Sequence, residues 1–417
     1  MASFSIPLSG LAASTQALDI ISNNLANLNT VGYKDQSANF QDLFYQNIGS
    51  DGAGDPIQVG AGTSVGSVAT NFSDGSLQNT SISSNAAITG NGFFVTQDAQ
   101  GTVQYTRAGD FTVNSAGQLV TSGGQTVMGY PSLNGVVNQA AVLSPLNVGS
   151  GASSPPSATT TMQQQTNLNA AATVGTPYST TQAVYDSLGE SHLLTFNYTM
   201  TAANTWTYQV TLPAADTGGT GAPTALATGT LSFDSNGNLT SPTGSLPVAI
   251  TGLADGAANM SAAWSLTTPS GSSLLTQVAS AASTTTTELQ NGFAAGTLSD
   301  FTIMQDGTIQ GQFSNGQTQA LGQIALASFA NDDGLEATAG NSYDSTLASG
   351  AAVIGAANSG GRGTLTGGSV ELSNVDISTE FTNLIVVQRG FEADSRVVTT
   401  FDSVGQSTTN LQASPGN

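Results

Sequence analysis

The strongest constraint on the fold lies at the C-terminal end, where Ile377, Phe381, Leu384, Val387, Phe391, Val398, Phe401, Val404 and Leu411 fall at spacings of three, four or seven residues. That spacing places them on one stripe of an α-helix, interrupted only by Asp394 and Thr408. The segment Ser373-Asn374-Val375-Asp376 resembles a capping box, and it puts Asp376 and Glu380 near the positive end of the helix dipole. A helix over residues 375–411 spans roughly 55 Å at about 1.5 Å per residue. One compact domain does not bury a helix of that length on itself.

The other end carries a shorter seam. Leu11, Leu18 and Leu25 recur every seven residues, and Ser14, Ile21 and Leu28 occupy the second heptad position. Ala, Gln, Ser and Asn fill the intervening sites, and the helix is predicted to stop between Asn29 and Gly32. Alone in water such a helix is marginal. Two readings stay open on periodicity: the helices pack on each other or on β structure within one chain, or they associate between molecules as coiled coils. The length of the second helix and the position of both seams at the chain ends favour the second reading. It makes Leu11, Leu18, Ile21, Leu25, Leu28, Ile377, Phe381, Leu384, Val387, Phe391, Val398 and Phe401 the candidate subunit interface.

Between the helices the chain reads as β structure, and its 49 Gly and 13 Pro predict many turns. Short strands are expected at 92–95, 103–107, 111–113 and 118–121, and Asp306-Gly307 and Asn315-Gly316 are hairpin signals. The centre has its own strands at 182–185, 193–198, 206–212, 231–233 and 248–250, bounded by Thr-, Ser- and Pro-bearing tracts. The fold class is therefore mainly β with terminal α-helices that pair as a coiled-coil domain, plus two β-rich domains, the second inserted into the first. The expected boundaries are an N-terminal helix at 1–30, a linker at 31–72, and a first β domain in two parts at 73–149 and 292–372. The inserted β domain takes 150–291 and the C-terminal helix 373–417.

Charge excludes several functions. Five Lys and Arg against 26 Asp and Glu give a net charge of −21. The bases are scattered at Lys34, Arg107, Arg362, Arg389 and Arg396, so no patch suits nucleic acid or anionic lipid. There is no Cys, and hence no disulfide, thiol nucleophile or Cys-based zinc site. No stretch approaches 18 apolar residues, and no base precedes Lys34, so neither membrane insertion nor a cleaved secretory signal is expected.

Catalytic parts are also missing. His192 is the sole histidine and sits beside the turn Asp186-Ser187-Leu188-Gly189, where it reads as a hairpin flank. Asp234, Asn236 and Asn238 have the spacing that opens a calcium loop, but Leu239 replaces the required Gly and Ser245 the bidentate Glu. Asn358 to Gly363 is Gly-rich without a following Gly-Lys-Ser or Gly-Lys-Thr, which leaves a plain loop. Arg389, Glu392 and Arg396 have the spacing of an ion-pair row on the last helix, which could also face a neighbour in a polymer. No catalytic residue, cofactor or metal ligand is expected.

The segment Asn23-Asn24-Leu25-Ala26-Asn27-Leu28-Asn29-Thr30-Val31-Gly32-Tyr33-Lys34 resembles the N-terminal signature of the axial proteins of the bacterial flagellum. Ser373-Asn374-Val375-Asp376-Ile377-Ser378, with Gln388-Arg389-Gly390-Phe391 downstream, resembles the matching C-terminal signature. The motif residues are thus Asn24, Ala26, Asn27, Thr30, Gly32, Tyr33, Lys34, Asn374, Val375, Asp376, Gln388 and Arg389. Interior segments such as Gln305-Asp306-Gly307-Thr308, 321–331 and Val184-Tyr185-Asp186-Ser187-Leu188-Gly189 look most like the hook family, with a shorter distal rod protein as the runner-up.

The resemblance implies a structural subunit of the flagellar hook, with paired terminal helices as the inner layer of a tube and two β domains stacked outward. It implies export through the flagellar type III apparatus without signal cleavage, and polymerisation with itself into a short curved tube that passes motor torque to the filament. The implied partners are the distal rod protein, the hook cap and the hook-filament junction protein, and the implied location is the extracellular flagellum. A secreted β-rich adhesin, the rival of another class, leaves both terminal helices unexplained.

Overall fold

The computed structural model describes residues 5–50, 56–149, 151–279 and 282–412. Helix α1 covers Ser5–Ala26 and helix α2 covers Ile377–Gln412. The start of α2 is set by Asp376, whose Oδ1 accepts the backbone N–H groups of Ser378 (2.7 Å) and Thr379 (3.1 Å). Asp376 is therefore the N-cap, whereas the capping-box reading gave that place to Ser373. Helix α1 closes through Asn27, whose N–H reaches the carbonyls of Asn23 and Asn24.

Residues 31–72, expected as a linker, hold four strands: β1 (Gln36–Asp42), β2 (Tyr45–Ser50), β3 (Pro56–Gly60) and β4 (Thr63–Thr70). β1 pairs antiparallel with β4, and β2 with β3. The β1–β4 ribbon lies against α1, where Ser9 Oγ accepts the Thr63 N–H at 3.1 Å.

The chain divides into two compact units, one of 1–149, 300–311 and 319–417, the other of 150–299 and 312–318. In the first, antiparallel strands Phe93–Gln97, Val103–Thr106, Thr126–Leu133 and Thr318–Ser328 build a sheet that is buried on both faces. Phe94, Val127, Ile324 and Leu326 pack into one cluster, and their neighbours Phe93, Val95, Met128, Ala325 and Ala327 into another. This alternation follows from the two-residue period of a strand.

The second unit has two five-stranded sheets. One is a meander of Pro177–Tyr185, Ser191–Ala202, Thr205–Leu212, Thr224–Phe233 and Leu239–Ser241. The other centres on Thr161–Asn169, which pairs in parallel with Met260–Ser265 and Leu275–Val278 and antiparallel with Thr284–Gln290. Both sheets contribute to one core, in which Trp264 meets Phe196 and Tyr208 edge-on at ring separations of 4.9 and 5.4 Å.

Candidate assembly interface

The two helices run antiparallel within one chain. Pro7 and Gly10 line one cavity with Asp394 and Phe401, and Ala17 and Ile21 line another with Glu380 and Val387. A Cβ on Gly10 would stand 2.5 Å from Asp394 Oδ2, so the Asp394 side chain lies directly against α1 at Gly10. On α2 the inward positions Glu380, Leu384, Val387, Asp394, Val398 and Phe401 are buried or half-buried and keep heptad spacing. On α1 the buried residues are Pro7, Ala13, Ala17, Ile21 and Asn24. Small side chains fill this face because α1 is covered by both α2 and the β1–β4 ribbon.

The expected interface residues therefore divide. Ile21, Leu384, Val387, Val398 and Phe401 lie on the seam between the helices of one chain, where the favoured reading had placed them between molecules. Leu11, Leu18, Leu25 and Leu28 sit half-buried at its margin, and Phe391, 38% exposed, borders it on α2. Ile377 and Phe381 point outward, Phe381 being 52% exposed. At 3.6 residues per turn, Ile377, Phe381 and Ile385 form one apolar flank of α2, and Val386 (64% exposed), Val397 and Val404 form the opposite flank, where Val386 and Val397 also border the cavities shared with α1 and the β1–β4 ribbon. Between the flanks, directly away from α1, stand Arg389, Glu392 and Arg396. These three make no ion pair among the described residues, contrary to the row that their spacing suggested.

The motif residues form the joint where both helices meet the β part of the first unit. Asn24, fully buried, donates through Nδ2 to Asp35 Oδ1 and the Gln36 carbonyl, both at 2.7 Å. Its Oδ1 accepts the Tyr33 hydroxyl and the Gln36 N–H, both at 3.1 Å. Asn374 Oδ1 accepts the Asp35 N–H at 2.8 Å, and its Nδ2 donates to the Asn71 carbonyl at 2.8 Å. Gly32 has φ +67° and donates its N–H to the Glu371 carbonyl. A Cβ there would stand 2.5 Å from the Ala108 backbone nitrogen, so this place suits glycine alone.

Beneath lies a buried charge network. Lys34 Nζ donates to Glu371 Oε1 at 2.5 Å and to the Ser73 carbonyl at 2.7 Å. Arg107 Nη1 lies 3.5 Å from Glu371 Oε2 and 3.3 Å from Asp74 Oδ1, and its guanidinium stands 5.3 Å from the Phe93 ring centroid. Burial lowers the Lys34 pKa while Glu371 draws it back up. Burial, with the charges of Asp35 and Glu380, pushes the Tyr33 hydroxyl up to about 12. Burial and then Glu380 raise the Asp35 carboxyl above its usual range.

Of the remaining motif residues, Thr30 donates to Asn27 Oδ1 at 3.0 Å and Val375 is buried. Ala26, Gln388 and Arg389 are exposed. The joint's residues appeared in the sequence only as a motif, because its partners stand as far apart as Lys34 and Glu371. The Asp234 loop is a turn, its Oδ1 accepting the Asn236 and Asn238 N–H groups at 2.8 Å each. His192 follows its turn on strand Ser191–Ala202 and is 5% exposed.

Comparison with known proteins covers nearly the whole chain. The family described as "Flagella basal body rod protein" matches residues 6–34, and "Flagellar hook protein FlgE/F/G D1 domain" matches 87–162. "Flagellar basal body protein FlaE D2 domain" matches 152–293, and "Flagellar basal body rod FlgEFG protein C-terminal" matches 366–411. The flagellar hook protein FlgE of Salmonella typhimurium is 37% identical over 98% of this chain and 100% of its own length. That of Escherichia coli K12 is 35% identical over 98% and 100%, and that of Treponema pallidum 32% over 95% and 96%.

Proposed function

The chain belongs to the flagellar hook protein family and is a structural subunit of the hook, and on that premise we propose that it polymerises into a curved tube through the outer faces of its paired helices. The observation that carries this reading is the pair of apolar flanks on α2, Ile377, Phe381 and Ile385 on one side and Val386, Val397 and Val404 on the other. Apolar surface of that kind is favourable to cover, at about 1.5–3 kcal/mol for each large side chain fully buried. In a helical array of identical subunits each α1–α2 pair has neighbours on both sides, so one flank meets the pair before it and the other the pair after. Leu11, Leu18 and Leu25 extend the same surface along α1.

In this arrangement the helices form the inner layer and supply the strong contacts. The β units lie outside, and their surfaces, rich in Ser, Thr, Asn and Gln with few charges, slide past one another as the tube bends under torque, since few fixed ion pairs lock one register. The ends of the tube meet the distal rod protein, the hook cap and the hook-filament junction protein, and the subunit reaches its place through the flagellar type III export apparatus without signal cleavage.

The test is negative-stain electron microscopy of purified protein at high salt, with the double variant Phe381→Asp, Ile385→Asp beside it. Unchanged protein is expected to form curved tubes. The variant is expected to form none while keeping its circular dichroism and melting temperature, because both positions face away from its own α1. Tubes from the variant overturn the assignment of the flank, and straight tubes from the unchanged protein point to a rod subunit instead.

A further inference from the structure

The second unit contains six carboxylates, Asp186, Glu190, Asp216, Asp234, Asp255 and Glu288, and neither Lys nor Arg. Three of the six converge on its one basic side chain, His192. Nε2 lies 3.2 Å from Asp186 Oδ2 and 3.8 Å from Asp255 Oδ2, while Nδ1 lies 3.0 Å from Asp216 Oδ2. The imidazole and Asp186 are buried, and Asp216 and Asp255 stand at the partly exposed mouth.

Each of the two carboxylates on the Nε2 side is held by the backbone through one oxygen and presents the other. Asp186 Oδ1 accepts the N–H groups of Leu188 (2.8 Å) and Glu190 (2.9 Å), and Asp255 Oδ1 accepts that of Ala257 (2.9 Å). The loops that carry them are tied together, because Ala258 N–H donates to Ser187 Oγ at 2.9 Å and Ala254 N–H to the Asp216 carbonyl at 2.8 Å.

We infer that Asp186 Oδ2, His192 Nε2 and Asp255 Oδ2 form a binding site for a divalent transition-metal ion of the Zn²⁺ type, with Asp216 orienting the imidazole. The three ligand atoms lie within 4.8 Å of one another. Metal–ligand bonds of about 2.0–2.1 Å in tetrahedral geometry place neighbouring ligands roughly 3.3–3.4 Å apart, so a shift of a few tenths of an ångström at Asp255 suffices. A metal-bound imidazole commonly gives its other N–H to a carboxylate, which fixes its tautomer, and Asp216 is placed to accept it. Asp186, Asp216 and Asp255 place three carboxylates around one imidazole in a unit with neither Lys nor Arg, and a divalent ion offsets most of that negative charge. The nitrogen ligand favours Zn²⁺ over Mg²⁺. Such an ion braces the 186–190 turn against the 251–257 loop. The inference stands independently of hook assembly.

The experiment is calorimetric titration of the full-length monomer with ZnCl₂ at neutral pH, with unfolding followed by the fluorescence of Trp206 and Trp264. One equivalent is expected to bind and to raise the unfolding temperature of the second unit, and millimolar Mg²⁺ is expected to leave the titration unchanged. Asp216→Asn is expected to weaken binding about 10–100-fold, and Asp255→Asn by more. Because Asp255 lies at the exposed mouth, that variant keeps its fold and decides the matter even where His192→Gln does not fold. Absence of saturable binding, equal displacement by Mg²⁺, or binding unchanged in both Asp variants overturns the site and leaves an imidazolium paired with three carboxylates.

Discussion

Lys34→Met is expected to cost the first unit about 3–5 kcal/mol, the range for removing one partner of a buried ion pair. Lys34 is the Glu371 carboxylate's nearest charge, and without it Glu371 keeps Arg107 at 3.5 Å and the Gly75 N–H at 2.8 Å. The cost arises from a carboxylate left in a site with no exposed surface rather than from the intrinsic worth of the pair. Denaturant unfolding of the variant checks it, and Lys34→Met combined with Glu371→Gln should recover part of the loss. A single-variant loss below about 1 kcal/mol would falsify the network's role. The joint holds Gly32, Tyr33 and Asn374 in place, so the variant is also expected to misalign both helices against the β core.

Leu384→Asp is expected to abolish tubes by another route than the flank variant. Leu384 lies on the seam against α1, between Glu380 and Val387. A carboxylate there forfeits part of the about 1.5–3 kcal/mol that full burial of a leucine is worth, since Leu384 is half-buried, and adds a like charge one turn from Glu380. Isolated helices of 22 and 36 residues with few apolar contacts are poorly stable in water. The helical signal in circular dichroism should therefore fall in the monomer, while the β units keep their melting behaviour. In Phe381→Asp, Ile385→Asp the helical signal should stay and only the tubes vanish. Identical behaviour of the two variants would show that pairing within a chain and contact between chains are not separable.

The existence of both helices was legible because heptad spacing survives in Leu11, Leu18 and Leu25 and from Ile377 to Phe401, but the end of α1 was not, since the helix closes at Ala26 rather than between Asn29 and Gly32. The face of α1 that packs was not. Pro7, Gly10, Ala13 and Ala17 carry little apolar weight, yet crowding from α2 and the β1–β4 ribbon demands small residues there, and the leucines are displaced to the margin. A count of large apolar side chains cannot detect a surface selected for smallness. The four strands of 36–70 escaped notice for a related reason: few of their side chains are buried, so no strict alternation marks them. Contacts between distant positions, as Lys34 with Glu371 or Asp35 with Asn374, leave no local trace. His192 looked like a turn neighbour because two of its three partners lie 24 and 63 residues further along.

The burial of Lys34 and Arg107 also determines how a protease meets this molecule. Trypsin cuts after Lys and Arg, and of five such positions these two are sealed within the first unit. Arg362 is half-covered, while Arg389 and Arg396 stand open on α2, on the side that faces away from α1. Limited digestion of the monomer thus trims the C-terminal helix and spares the β units. Once neighbouring subunits crowd α2, the same cuts slow, so the ratio of trimmed to whole chain reports the fraction assembled without a label, a tag or a microscope.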